Sequence, residues 1–335
     1  MQKKITTVAL FIFLSLAAFS QNEKKFHLIK SYPILSNGGW DYIAVGPGNN
    51  RLYVSHSKQV NILDENTGDS IGIIENTIGV HGIAFDAAAN KGFTSNGRLN
   101  TVTVFNLTNN QPIAQIKTGT NPDAIMYEPY SKKIITCNGR SKNLTIIDPE
   151  LNKAVDSIDV GGKPETAVSD GKGKIFVNIE DKNEIVAIDV KSFKVISHWS
   201  IAPGDGPTGL AIDVNTNRLF AGCDKLLMIV DANSGKIVDK LPIGDGCDGV
   251  AFDPALKNIY TANGEGTITV VNEKDENNFS VTDNIISKKS ARTIALDPAT
   301  HQLFLPASEL EPLAPGQTGR AKLKPGTFQV LVVGP

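Results

Sequence analysis

A six-residue phrase recurs along this chain: DYIAVG (41–46), HGIAFD (81–86), DAIMYE (123–128), ETAVSD (165–170), TGLAID (208–213), DGVAFD (248–253) and RTIALD (292–297). Successive phrases lie 40 to 44 residues apart. A period of that length makes each unit one supersecondary element that buries its apolar surface only against its neighbours. A turn and a second apolar run follow every phrase, as in RLYVSH (51–56), KGFTSN (91–96), KIITCN (133–138), KIFVNI (174–179) and NIYTAN (258–263). A third, alternating run comes next, for example VNILD (60–64) and LTIID (144–148), and a more polar fourth closes the unit, as in PIAQIKTG (112–119). Alternation of period two, divided by turn residues and without a sustained helical period, reads as short antiparallel strands.

Four such strands in about 42 residues have the size of one propeller blade, whereas helical solenoids need helices and shorter periods. Seven phrases therefore predict an all-β, seven-bladed β-propeller of four-stranded antiparallel blades, a single domain over 21–335. The last unit supplies only three strands, and FHLIKSYP (26–33) precedes the first phrase as a strand without a unit. Pairing the two closes the ring and removes the open sheet edges that invite aggregation. An insertion, 307–326, springs from the second strand of the seventh unit and is expected to arch over one face of the disc, as long loops at binding sites do.

Residues 1–20 have a different character. Lys3 and Lys4 precede an apolar stretch, Val8 to Phe19, that ends on the small residue Ser20. This is the plan of a secretory signal, with cleavage expected near Ser20/Gln21, and the stretch is short for a membrane span. No second apolar span follows, so the expectation is an exported, monomeric chain of the periplasm or cell exterior. Loss of Lys3 and Lys4 takes the formal charge from −2 to −4. That balance, without a basic stripe, speaks against a nucleic-acid partner. Three cysteines with no CxxC pairing exclude a disulfide scaffold or zinc finger. Cys137 reads as core, while Cys223 and Cys247, in neighbouring units, leave a disulfide open. The chain contains neither a GxxxxGK[ST] phosphate loop nor an HExxH zinc motif.

Aligned repeats sort side chains by place. The starts of the first strands give one ring about the central channel: Asp41, His81, Asp123, Glu165, Thr208, Asp248 and Arg292. The ends of the second strands give another: His56, Asn96, Asn138, Asn178 with Glu180, Cys223 with Asp224, and Asn263. Carboxylates gathered so closely raise one another's pKa or recruit a cation. Asp41, Asp123, Glu165 and Asp248 are thus candidate ligands for a hard ion such as Ca²⁺ or Mg²⁺. His81 and Glu165 are the candidates for acid–base chemistry. The competing expectation is that these polar groups only cap strands and tie blades together. Trp40 either stacks on a ligand or packs between blades, and Arg98, Arg140 and Lys142 are placed to rim the channel mouth and attract anions.

Several non-repetitive stretches carry a resemblance: GGWDY (38–42), GVHGIAFD (79–86), NGRSKN (138–143), GGKPE (161–165), VNIEDKNEIVAID (177–189), ARTIALDP (291–298) and PGTFQVLVVG (325–334). On these residues the chain resembles the YVTN/YncE-like family of exported bacterial β-propellers over 26–335. The resemblance implies fold and export. One branch of that family is associated with single-stranded DNA, a role the acidic balance here does not favour. Three functional classes stay open on the sequence. The first is a binder of a small or extended ligand at the channel face, through Asp41, His56, His81, Asn96, Asp123, Asn138, Glu165, Asn178, Asp248, Asn263 and Arg292. The second is a divalent-metal-assisted lactonase or lyase. The third is an interaction scaffold for a peptide or protein partner.

Overall fold

A computed structural model describes residues 25–34, 36–313 and 321–335. The signal segment expected over 1–20 and the middle of the insertion lie outside the described residues. The repeats form seven four-stranded antiparallel sheets around a common axis. Blade one runs Trp40–Val45, Arg51–His56, Gln59–Asp64 and Ser70–Ile74, and the following blades repeat that meander. Among the described residues the regular structure besides the strands is one 3₁₀ turn, Glu180–Lys182, and no helix there is long and apolar enough to cross a membrane.

The seventh blade is made from both ends of the chain. Ala295–Asp297, Gln302–Ala307 and Gln329–Gly334 supply its inner strands, and His27–Pro33 pairs antiparallel with Gln329–Gly334 as its outer strand. The register runs from His27 opposite Gly334 to Pro33 opposite Gln329. Tyr32 secures this seam. Its ring belongs to the buried cluster that joins Leu52, Val54 and Leu63 of blade one to Phe304, Val330 and Val332 of blade seven, and its hydroxyl donates to the carbonyl oxygens of Glu65 (2.7 Å) and Asn66 (2.9 Å) in blade one. Gly68, at φ +78°, lies against that ring, where any side chain would collide with it.

The core lies between facing sheets. Middle strands are buried on both faces: Ile135, Cys137, Leu144 and Ile146 pack with Ile175, Val177, Val186 and Ile188 of the next blade, and Ile134 and Ile147 with Phe93, Val102 and Val104 of the preceding one, which is why they read as continuous apolar runs. Fourth strands are largely exposed, hence their polar sequences. In blades five and seven the first strand starts later than the repeat predicts, at Leu210 and Ala295, leaving Thr208 and Arg292 on irregular backbone. The described part of the insertion folds back on itself as an arm, with Leu310 bridged to Leu323 and Lys324 Nζ on Glu309 at 2.9 Å.

Candidate functional site

A register break turns the ring residues inward. In blade one Trp40 pairs with His56, but the next partners are Ile43 and Val54, so one strand carries an extra residue. The same break follows Val80, Pro122, Pro164 and Cys247. Such a bulge bends the strand and re-aims the side chains caught in it. Those side chains are Asp41, His81, Asp123, Glu165 and Asp248.

They meet at the axis as a belt of alternating charge. His81 Nδ1 donates to Asp41 Oδ2 at 2.6 Å and stands 3.6 Å from Asp123 Oδ1. Arg292 Nε donates to Asp248 Oδ2 at 2.6 Å, and a terminal nitrogen lies 3.4 Å from Asp41 Oδ1. Lys163 Nζ joins Glu165, at 2.6 Å, to Glu180. The Thr208 hydroxyl instead donates to the Cys247 carbonyl at 2.8 Å, tying blade five to blade six. The Thr293 hydroxyl does the same for blades seven and one through the Asp41 carbonyl, at 2.5 Å.

Burial and crowding shift the titration of this belt. Burial, with Asp41 and Asp248 nearby, pushes the Asp123 carboxyl up to about 6 against the pull of His81. Burial and the Asp123 charge push Glu165 up to about 9, although Lys163 opposes them. Burial also raises Asp248, with Arg292 opposing. Burial acts to lower His81, but the hydrogen bond to Asp41 and the two neighbouring carboxylates outweigh it and hold the imidazole above its ordinary value. Tyr42, which the sequence did not mark, lies within reach of all four carboxylates; burial first, then those charges, drive its phenol well above the usual tyrosine range. It occupies the bulge position that the next three blades fill with Gly82, Ala124 and Thr166, and with them lines a cavity of about 140 Å³ inside the channel. The one bulky residue at a position otherwise small was its available signal. Lys163, two residues before Glu165, was missed as well.

Above the belt the channel opens into a pocket of about 360 Å³. Asp41, His81 and Arg292 reach it from below, and Arg98, Arg140 and Asn121 stand at its sides. Arg98 and Arg140 are exposed, and among the described residues neither guanidinium has a side-chain partner. Lys142, by contrast, is engaged by Asp181 at 2.7 Å.

With this geometry in view, the fold has a solved counterpart. The chain is similar to one described as Kuenenia stuttgartiensis hydrazine synthase, with a TM-score of 0.70 and 15% identity over 80% of this chain and 92% of that one. That likeness is one of fold. No protein-family model and no curated protein matches the chain.

The second ring does not converge on the opening. Asn96, Asn138 and Asn263 are fully buried, and each clamps its own blade: Asn138 accepts from Thr136 Oγ1 (3.0 Å) and donates to Thr145 (2.8 Å) and Asn143 (3.1 Å), a pattern repeated in the other two. Both ends of each amide are engaged within the blade. His56 takes the same position in blade one, bound to Asn61 and Ser36 and packed on Phe328, and burial lowers its pKa. Asn178 departs from this register. It sits one residue earlier than the clamping Asn, where other blades carry Ser55 or Ser95, and therefore faces the next blade, donating to the carbonyls of Thr208 and Gly209. Ile179 fills the clamp position.

Trp40 packs between blades, stacked on Phe328 at 5.1 Å, while an edge still lines the mouth. All three cysteines are buried free thiols. A GxSxG match, Gly68 to Gly72, begins the exposed outer strand of blade one, far from any nucleophile elbow, so Ser70 has no catalytic setting.

Proposed function

We propose that this chain is an exported propeller of the YVTN/YncE-like kind that binds a small anionic ligand at the mouth of its central channel. The observation that carries this reading is the pocket of about 360 Å³ lined by Arg98 and Arg140, which have no side-chain partner of their own among the described residues, above an axis where the hydrogen bond to Asp41 and the neighbouring carboxylates raise the pKa of His81. Guanidinium forks match carboxylate and phosphate geometry and bind such groups with paired hydrogen bonds. The pocket falls in the size range of small-molecule sites. The belt beneath supports the ligand's orientation, since its carboxylates are already tied up by Arg292, His81 and Lys163. The basic start and apolar stretch over 1–20 support export.

The test is thermal denaturation of the chain from Gln21 onward during titration with acetate, phosphate and citrate. Stabilisation by one of these anions, abolished in the Arg98→Ala/Arg140→Ala double variant, is the expected result. Stabilisation that survives the double variant, or none at all, overturns the reading.

A second reading has one observation in its favour. Donor atoms of Asp41, His81 and Asp123 lie within 4.8 Å of one another, a spacing that could hold a cation and support metal-assisted lactonase or lyase chemistry. It ranks second because Glu165 and Asp248 already have cationic partners, which leaves few oxygens for a hard ion such as Ca²⁺. Stabilisation by Ca²⁺ or Mg²⁺ that vanishes in Asp123→Asn would put this reading first.

A further inference from the structure

Beside the mouth lies a second cleft, of about 390 Å³, between the arm and the disc. The two share Gly39, Trp40 and Arg292, so they adjoin. Their linings differ. Leu310, Ala321 and Leu323 of the arm and the indole of Trp40 give the cleft apolar walls, and Gly39, Gly246 and Gly264 give it a bare backbone floor. At Gly39 a Cβ would meet nothing within 4 Å, and Gly246, at φ +70°, has a conformation that side-chain-bearing residues rarely adopt. Among the described lining residues the one charged group is Arg292, already paired with Asp248 and Asp41. The Trp40 indole N–H is buried and has no acceptor among the described residues.

On the reading of the mouth as an anion site, on which this step rests, we infer that the natural ligand is an organic anion with a sizeable apolar or aromatic group. The anionic end lies between Arg98 and Arg140. The apolar body passes Trp40 and lies under the arm against Leu310 and Leu323, over the glycine floor. The sharing of charge and apolarity between the two cavities points that way: a carboxylate placed in the cleft finds no free cation among the described residues, and an aromatic ring placed at the mouth displaces water from two guanidinium groups. Burying the apolar part of such a ligand contributes roughly 25 cal/mol per Å². An added phenyl-bearing chain therefore tightens binding by about tenfold or more over the bare anion, each tenfold being about 1.4 kcal/mol.

The experiment compares acetate with 4-phenylbutyrate, and inorganic phosphate with phenyl phosphate, by calorimetric titration of the chain from Gln21 onward. The wild type is set beside two double variants, Arg98→Ala/Arg140→Ala and Leu310→Ser/Leu323→Ser. The leucines lie on the arm and are only partly buried, and because Leu323 packs on the cluster around Trp40 and Phe328, circular dichroism and a thermal melt check that the disc keeps its fold. The expected result is that each phenyl-bearing anion binds about tenfold more tightly than its bare counterpart, and that the leucine variant loses this gain while keeping the affinity for acetate and phosphate. Fluorescence of Trp40, one of two tryptophans in the chain, should also change with the phenyl-bearing anions alone. Equal affinities within each pair, with both still dependent on the arginines, overturn the inference and leave the mouth reading standing. Binding that ignores the arginine substitutions, or no binding of any probe, overturns both.

Discussion

Glu165 shows how burial decides what a residue in this belt can do. Its carboxyl is almost enclosed, faces Asp123, and is pushed up to about 9 even with Lys163 at 2.6 Å. A carboxyl whose folded pKa is raised contributes stability that is complete below its unfolded value, near 4.5, and is lost as pH climbs through the folded value. Asp123, raised to about 6, acts with the same sign over a narrower window. His81 also loses its contribution as pH rises through its raised value. All three make the ring weaker on the alkaline side. Melting temperature is accordingly expected to fall between pH 5 and pH 9, and Glu165→Gln to flatten that fall by several degrees, since about 1 kcal/mol moves the midpoint of a domain above 150 residues by roughly 2–4 °C. Melts at pH 5, 7 and 9 check this; an equally steep decline in the variant would show that the charge on Glu165 is not what the alkaline limb reports.

At the scale of the strand, function and framework separate by a single register position. The residue caught in the bulge looks down the axis, whereas the last residue of the second strand looks into its own blade. Asn138 belongs to the second kind. Asn138→Ala removes hydrogen bonds to Thr136, Thr145 and Asn143 and is expected to destabilise by about 2 kcal/mol, with buried polar groups left unpaired. A urea midpoint measures this, and anion affinity should stay at the wild-type value. The repeat made the strands and the first ring legible, because period-two alternation and a fixed phrase survive in each unit. The bulge was not legible, since it depends on pairing between strands and leaves no fixed residue type behind. For the same reason Asn178 passed for a member of the second ring. KIFVNI and KIITCN both place an Asn near the strand end, and a shift of one residue sends the side chain to the opposite face. Lys163 was hidden differently, as a loop lysine whose partners come from two separate segments.

For the whole molecule, the seam between blades one and seven concentrates the cost of failure. Tyr32 is buried there and its hydroxyl reaches two carbonyls of blade one. Tyr32→Ala is expected to cost about 3–5 kcal/mol, the range for deleting a buried aromatic ring, and to lower the urea midpoint accordingly. An equivalent change on a fourth strand elsewhere, Val155→Ala at an exposed site, should be nearly silent. A variant at Tyr32 no worse than that one would mean the seam is not a weak point.

The pairing of His27–Pro33 with Gln329–Gly334 has a consequence for assembly in time. Six sheets are knitted from neighbours in the chain and can form as soon as their own residues are free. The seventh waits for segments some three hundred positions apart to find each other, and long-range pairing of this sort is slow. Until that encounter the polypeptide is an unclosed arc with two bare strand edges, vulnerable to proteases and to sticking to other copies. The pocket at the channel mouth does not exist in that arc either, because Arg292 and Asp41 come from the two blades that meet last.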